Sequence, residues 1–201
     1  MTDRKTLLFD KTAKCGGFYE LCIQVCPSLD NNPIILYTDF LWTQSNIEGP
    51  FEETWNGYIN TKVEYENSIN NGLLNLDNYS IPFLTYNVRE ENPLESGFNW
   101  FDISFYEETL NKTFNVENIF ADENIQSKDI IDTYLTRLMK DLYRVYPFQL
   151  AMIDFEISGQ YYLDNLKKGD LNNWTNSKYF IGKENFNDIK DEYKSLVTIV
   201  D

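Results

Sequence analysis

Two carboxylates near the end of a predicted strand are the residues best placed to do chemistry. Residues 150–157 alternate apolar and polar side chains, which predicts a strand with Asp154 and Glu156 on one face. Their α-carbons would lie about 6.6 Å apart, which suits acid–base work by a carboxylate pair on a carbohydrate. Trp100 or Trp174 would then supply an aromatic platform. We favour the simpler interpretation that this face meets solvent or pairs with a lysine, and we assign no catalytic residue.

Most other kinds of catalytic centre are excluded by the residues that the chain lacks. The sequence contains no histidine, which excludes hydrolases with a histidine base and the commonest metal sites. It also contains no Gly-x-Gly-x-x-Gly motif and no phosphate-binding loop. We therefore predict a protein without cofactor or metal.

The cysteines and the hydropathy of the chain indicate its compartment. Cys22 and Cys26 lie in a predicted strand, about 13 Å apart on one face, which is too far for a disulfide or a shared zinc. The longest aliphatic run, Ile34–Leu36, is far shorter than the roughly 20 residues that cross a bilayer, and no signal peptide is recognisable. Reduced cysteines are typical of the cytoplasm, so we predict a cytoplasmic protein that does not enter membranes.

Negative charge is concentrated in one part of the chain. Of the formal net charge of −15, residues 39–127 carry −13, from 16 acidic and 3 basic residues. The same stretch holds three of the four tryptophans. With 17 Lys plus Arg against 32 Asp plus Glu, nucleic-acid binding is disfavoured. Arg137, Lys140 and Arg144 do share one stripe of a predicted helix, which we interpret as its solvated face.

Aromatic residues within a field of one sign are typical of a surface that attracts and holds a basic protein. The predicted partner-binding residues are Glu52, Glu53, Trp55, Glu64, Glu66, Glu90, Glu91, Glu95, Glu107 and Glu108. They favour an immunity-type or inhibitor-type protein that neutralises a basic toxin or nuclease by occupying its cationic cleft.

Three alternatives remain open at this level. An acidic surface also keeps bacterial-type cytoplasmic proteins soluble, without any partner. A carboxylate-dependent hydrolase using Asp154 and Glu156 would require a deep pocket around them. A structural subunit of a larger assembly would show an exposed apolar patch and a stable oligomer.

The predicted elements indicate one α+β domain over residues 1–201. Alternation predicts strands at 18–26, 100–106 and 150–157, with further strands at 179–181 and 196–200. Apolar residues at spacings of three and four predict one long helix at 128–145, with Ser127 as its N-cap, and a short helix at 161–168.

The remaining segments are read from turn signals and breakers. Residues 5–12 and 18–26 are predicted to form an opening β-hairpin, and 34–41 a strand or a buried short helix. Residues 44–99 are rich in Asn, Gly, Ser and Pro, which predicts long irregular connections. The expected fold is a mainly antiparallel sheet packed on the one long helix.

Overall fold

The computed structural model describes residues 6–55, 57–66, 68–90, 97–169 and 177–201. The fold is α+β, with a mixed nine-stranded sheet and several helices. The strands are β1 (Phe18–Pro27), β2 (Ile47–Thr54), β3 (Gly57–Asn60), β4 (Ile69–Leu76), β5 (Tyr79–Arg89), β6 (Phe98–Tyr106), β7 (Leu150–Phe155), β8 (Lys178–Gly182) and β9 (Val197–Val200). The α-helices are α1 (Asn32–Trp42), α2 (Glu107–Phe114), α3 (Ile125–Val145) and α4 (Leu163–Lys168), and short 3₁₀ helices lie at Thr6–Phe9, Asp122–Asn124, Lys183–Asp188 and Asp191–Tyr193.

The strand order in the sheet is β3-β2-β4-β5-β6-β1-β7-β8-β9. Every neighbouring pair is antiparallel except β8 and β9, which are parallel. β1 therefore lies in the middle of the sheet, between β6 and β7. No helix of the described residues is long and apolar enough to cross a membrane.

The two faces of the sheet carry different cores. On one face, α1 and α3 pack against residues such as Leu21, Phe101 and Ile153, and this is the larger apolar cluster. On the other face, residues around α4 cover a smaller cluster that includes Met152 and Leu166. The central strands are therefore buried on both faces, which decides the environment of the polar residues that they carry.

The strands predicted at 18–26, 100–106, 179–181 and 196–200 are confirmed, and the strand predicted at 150–157 is confirmed over Leu150–Phe155. The long helix is present as α3, but it begins at Ile125 and is one of several helices. Ser127 lies inside α3, so its prediction as the N-cap is wrong. The short helix predicted at 161–168 is observed as α4.

The prediction of long irregular connections in residues 44–99 is wrong, because this stretch forms β2 to β5. Its polar residues serve the sheet instead of breaking it. Gly72 sits in β4 where a Cβ would come within 2.7 Å of Phe83 and 2.8 Å of Trp42, so glycine permits close packing there. Asn70 accepts a hydrogen bond from the backbone N–H of Glu64 and donates one to its carbonyl.

The opening hairpin is also wrong, since Thr6–Phe9 is a 3₁₀ helix whose Leu8 packs with Phe51 and Leu73. The segment 34–41 takes the helical alternative, as α1. Pro33 stands in the first turn of that helix, where its missing N–H and fixed φ cost nothing.

The two strand cysteines do not share a face, contrary to the sequence-based expectation. The register of β1 against β6 shifts between Gln24 and Cys26, and this bulge reverses the alternation. Cys22 consequently packs in the smaller cluster and Cys26 in the larger one, and both are free thiols.

Candidate functional site

The β2–β3 hairpin carries the most exposed of the predicted partner-binding residues. Glu52 and Glu53 are exposed on β2, and Trp55 follows them with 98% of its surface accessible. The hairpin is held by Phe51, which is buried and packs against Tyr58 with ring centroids 5.6 Å apart. The apolar anchor thus faces the protein while the carboxylates and the indole face outward.

Beside this hairpin lies an open concavity of about 580 Å³. It brings together three predicted residues, Glu52, Glu53 and Glu64, with two lysines, Lys14 and Lys62. Burial lowers the pKa of Lys14, and the charge of Glu53 opposes that shift. The concavity therefore has three carboxylates against two ammonium groups, and its excess of negative charge is modest. Its apolar lining includes Ile69, which is 59% exposed.

The other predicted residues lie elsewhere. Glu66 is exposed, accepts a hydrogen bond from Asn31 at 2.6 Å and lies 3.9 Å from Arg89. Glu91 and Glu95 fall outside the described residues.

Three of these glutamates have partners within the protein or are partly buried. Glu90 accepts a hydrogen bond from the Tyr162 hydroxyl at 2.7 Å, so it helps to attach the segment before α4 to the sheet. Glu107 and Glu108 open α2 and are half-buried, where negative charge stabilises the helix N-terminus. These surroundings give the three residues structural roles. Among the described predicted residues, Glu66 and those of the hairpin with its concavity remain exposed.

Asp154 and Glu156 are engaged by their own surroundings. Asp154 lies on β7 and accepts hydrogen bonds from the Phe155 N–H and the Ser177 hydroxyl. β7 ends at Phe155, and Glu156 has a left-handed backbone with φ of 52°. The Glu156 carboxylate accepts a hydrogen bond from the Phe18 N–H at 2.7 Å, at the first residue of β1. Both carboxylates thus satisfy local backbone or hydroxyl donors, which is a structural role.

A pair of buried carboxyl groups, Glu20 and Asp102, lies in the middle of the sheet and was missed from the sequence. Glu20 and Asp102 do alternate with apolar residues along β1 and β6, but the sheet face that they occupy is covered by the segment around α4. Glu20 accepts hydrogen bonds from the Ser158 N–H at 2.7 Å and the Ser104 hydroxyl at 3.2 Å. Asp102 lies opposite Cys22, and its Oδ1 has no hydrogen-bond partner. The signal available in the sequence was that each of these two predicted strands carries a carboxyl residue among its apolar residues.

Burial sets the protonation of this pair. Desolvation raises the pKa of Asp102 to about 7, and the nearby charge of Glu20 adds to the effect, against hydrogen bonds from Cys22 and Ser158. Desolvation also raises the pKa of Glu20. The pair can hold a proton near neutral pH. Asp102 and Glu20 are only 6% and 4% exposed, however, so neither offers a solute much access.

A second charged group lies where α3 meets β8. Asp132 is buried and accepts hydrogen bonds from Lys178 at 2.6 Å, Lys128 at 2.9 Å and the Tyr19 hydroxyl. It also lines an open groove of about 470 Å³ that includes the helical stripe predicted from the sequence, Arg137, Lys140 and Arg144. Those three side chains are exposed, consistent with a solvated helix face. Within the described ranges, no group of three or more Cys, Asp and Glu side chains could hold a metal ion.

Comparison with known proteins gives no relative: no protein-family model, no curated protein and no solved structure matches this chain.

Proposed function

We propose that this protein is an acidic protein-binding module of the immunity or inhibitor type, which neutralises a basic toxin or nuclease. The observation that carries the proposal is Trp55, 98% exposed next to two carboxylates on the edge hairpin of the sheet. The hairpin enters or covers the cationic cleft of the partner, and the indole becomes buried there.

An exposed tryptophan contributes little to the stability of the free protein but can contribute much to a complex. Burial of an indole removes about 150–250 Å² from water, which corresponds to roughly 4–6 kcal/mol before ordering costs. Tryptophan is accordingly enriched among residues that dominate binding energy. A surface shaped only for solubility explains the charge of the chain but gives no reason for an indole at this position.

The surrounding charge favours a basic partner. Residues 47–60 contain three glutamates, Glu48, Glu52 and Glu53, and no lysine or arginine. Like-signed charges beside an apolar anchor accelerate encounter with an oppositely charged protein and do less for the lifetime of the complex. The hairpin therefore combines a steering function and an anchoring function within a few residues.

The anchor is tested by Trp55→Ala in capture of the tagged protein's partners from its native cells, at low and high salt. Loss of a central tryptophan costs at least about 2 kcal/mol of binding, so we expect roughly 30-fold weaker binding of the captured basic protein. Leu29→Ala is the matched control, because Leu29 is 85% exposed and lies outside the hairpin. Equal capture by Trp55→Ala and the parent protein would contradict the proposal.

The steering charges are tested by the double change Glu52→Lys and Glu53→Lys. Reversal of two charges beside the anchor should lower the association rate by about tenfold or more at low salt and reduce its salt dependence. Glu117→Lys with Glu123→Lys is the control with the same change of charge, since both residues are exposed and lie far from the hairpin in sequence.

The purified partner's toxic or nuclease activity should be inhibited by the parent protein. Capture without inhibition would leave a binding protein and remove the inhibitor function.

A further inference from the structure

β3 forms one edge of the sheet, and its short length of four residues is the only protection that its sequence gives it. It pairs with β2, and within the described part of the chain no strand lies on its other side. Sheet edges usually carry lysine, proline or inward-facing charge that prevents pairing with other chains. The sequence of β3, Gly-Tyr-Ile-Asn, contains none of these. The edge is therefore open to an additional strand.

The register shows which backbone groups face the open edge. The Thr61 N–H donates to the Pro50 carbonyl at 2.9 Å, and Asn60 and Ile59 are the next residues of β3 along the ladder. Antiparallel pairs alternate between hydrogen-bonded and non-hydrogen-bonded. The N–H and C=O groups of Ile59 therefore point toward β2, whereas those of Asn60 point away from it and can bind an incoming strand.

The side chains next to this edge suit a basic segment. Ile59 is 52% exposed and lies directly opposite Glu52 on the same face. A lysine of an added strand, placed beside Ile59, can lay its aliphatic stem over that side chain and bring its ammonium group to the Glu52 carboxylate. A second copy pairing through its own β3 would supply no basic side chain, because Gly57–Asn60 contains no lysine or arginine, and it would bring two acidic hairpins near each other.

We propose that the partner docks by strand addition: an extended segment with Lys or Arg at alternate positions pairs with β3 and continues the sheet. This mode of binding rests on the proposed function, because the hairpin is the partner-binding surface in both. Backbone hydrogen bonds to β3 supply affinity that tolerates sequence variation, while Glu52 and Trp55 select basic and apolar side chains.

The test uses a capped peptide of about eight residues that alternates Lys with Thr, followed by amide hydrogen exchange of the protein. At saturating peptide, exchange at Asn60 should slow by about tenfold or more, and exchange at Ile59 should remain unchanged because its N–H is already bonded. Asn60→Pro removes the outward N–H and should weaken the peptide by about fivefold. Asn60→Ala keeps the N–H and is the matched control. The same peptide with alternate backbone nitrogens methylated should not bind.

Each other outcome overturns strand addition. Failure of the peptide to bind would do so, as would binding that leaves Asn60 exchange unchanged or dimerisation of the protein through β3. The proposed function is judged separately, by the capture experiment. A captured partner that is sensitive to Trp55→Ala but insensitive to Asn60→Pro would remove strand addition alone, whereas no dependence on Trp55 would remove the proposed function itself.

Discussion

Replacing Asp102 by asparagine is expected to stabilise the folded protein above pH 7. Burial raises the pKa of Asp102 from 3.8 to about 7, so the folded state holds its proton more tightly than the unfolded state does. The stability contributed by this group is complete below about pH 4 and is lost as the pH rises through about 7. At pH 8 the charged, buried carboxylate costs up to about 4 kcal/mol, which asparagine does not pay.

Urea denaturation at about pH 5 and pH 8 measures this effect. The parent protein should lose stability between the two values, and Asp102→Asn should lose much less. The pH-dependent difference isolates the charge from any packing change. Asp122→Asn, at an exposed aspartate, is the control and should follow the parent protein. An Asp102→Asn variant with the parent's pH dependence would show that Asp102 is ionised in the fold. Glu20, whose pKa burial also raises, would supply a residual slope of the same sign.

The strands that alternation predicted correctly are those with one strongly apolar face. In β1, β6 and β7, residues such as Leu21, Ile103 and Ile153 mark that face without any knowledge of the partner strand. The opposite face could not be assigned in the same way. Whether Glu20 and Asp102 meet solvent depends on where the segment around α4 packs, and that is a long-range contact. For these three strands the sequence predicted the element but not the burial of its polar side.

β4 shows why residues 44–99 defied prediction. Its Asn70 and Gly72 have low strand propensity, yet both are required by residues outside β4: the backbone of Glu64 bonds Asn70, and the rings of Trp42 and Phe83 pack against Gly72. Tertiary contacts therefore overrode local preference. α1 differs, because Pro33 was compatible with a helix start from the outset.

Composition identified the candidate surface only in part. The excess of acid in residues 39–127 drew attention to Glu52, Glu53 and Trp55, which share the β2–β3 hairpin. The same criterion included Glu90, whose carboxylate accepts the hydroxyl of Tyr162. Charge alone could not separate a steering group from a structural acceptor, because that distinction depends on the fold of a segment some 70 residues away.

Asp132→Asn is expected to destabilise the folded protein, whereas Asp102→Asn stabilises it. We expect a loss of about 3 kcal/mol in the free energy of unfolding at neutral pH. Asp132 is buried and accepts hydrogen bonds from Lys178, Lys128 and Tyr19, so removal of its charge leaves two ammonium groups without their counter-ion. The cost reflects the two ammonium groups left unpaired more than the net strength of the ion pairs. It is limited because Lys128 and Lys178 are partly exposed and regain some solvation.

The pH dependence distinguishes this residue from Asp102. Burial alone would raise the pKa of Asp132, but the hydrogen bonds from Lys178, Tyr19 and Lys128 outweigh it and hold the pKa below 3.8. The stability it contributes is present above about pH 4 and is lost as the pH falls through its lowered pKa. The difference between Asp132→Asn and the parent should therefore be full at about pH 7 and shrink in acid, as measured by urea denaturation. Asp129→Asn, at an exposed position on the same helix, is the control. A loss that persists undiminished in acid would mean that Asp132 acts through packing, and that its charge does not join α3 to the sheet.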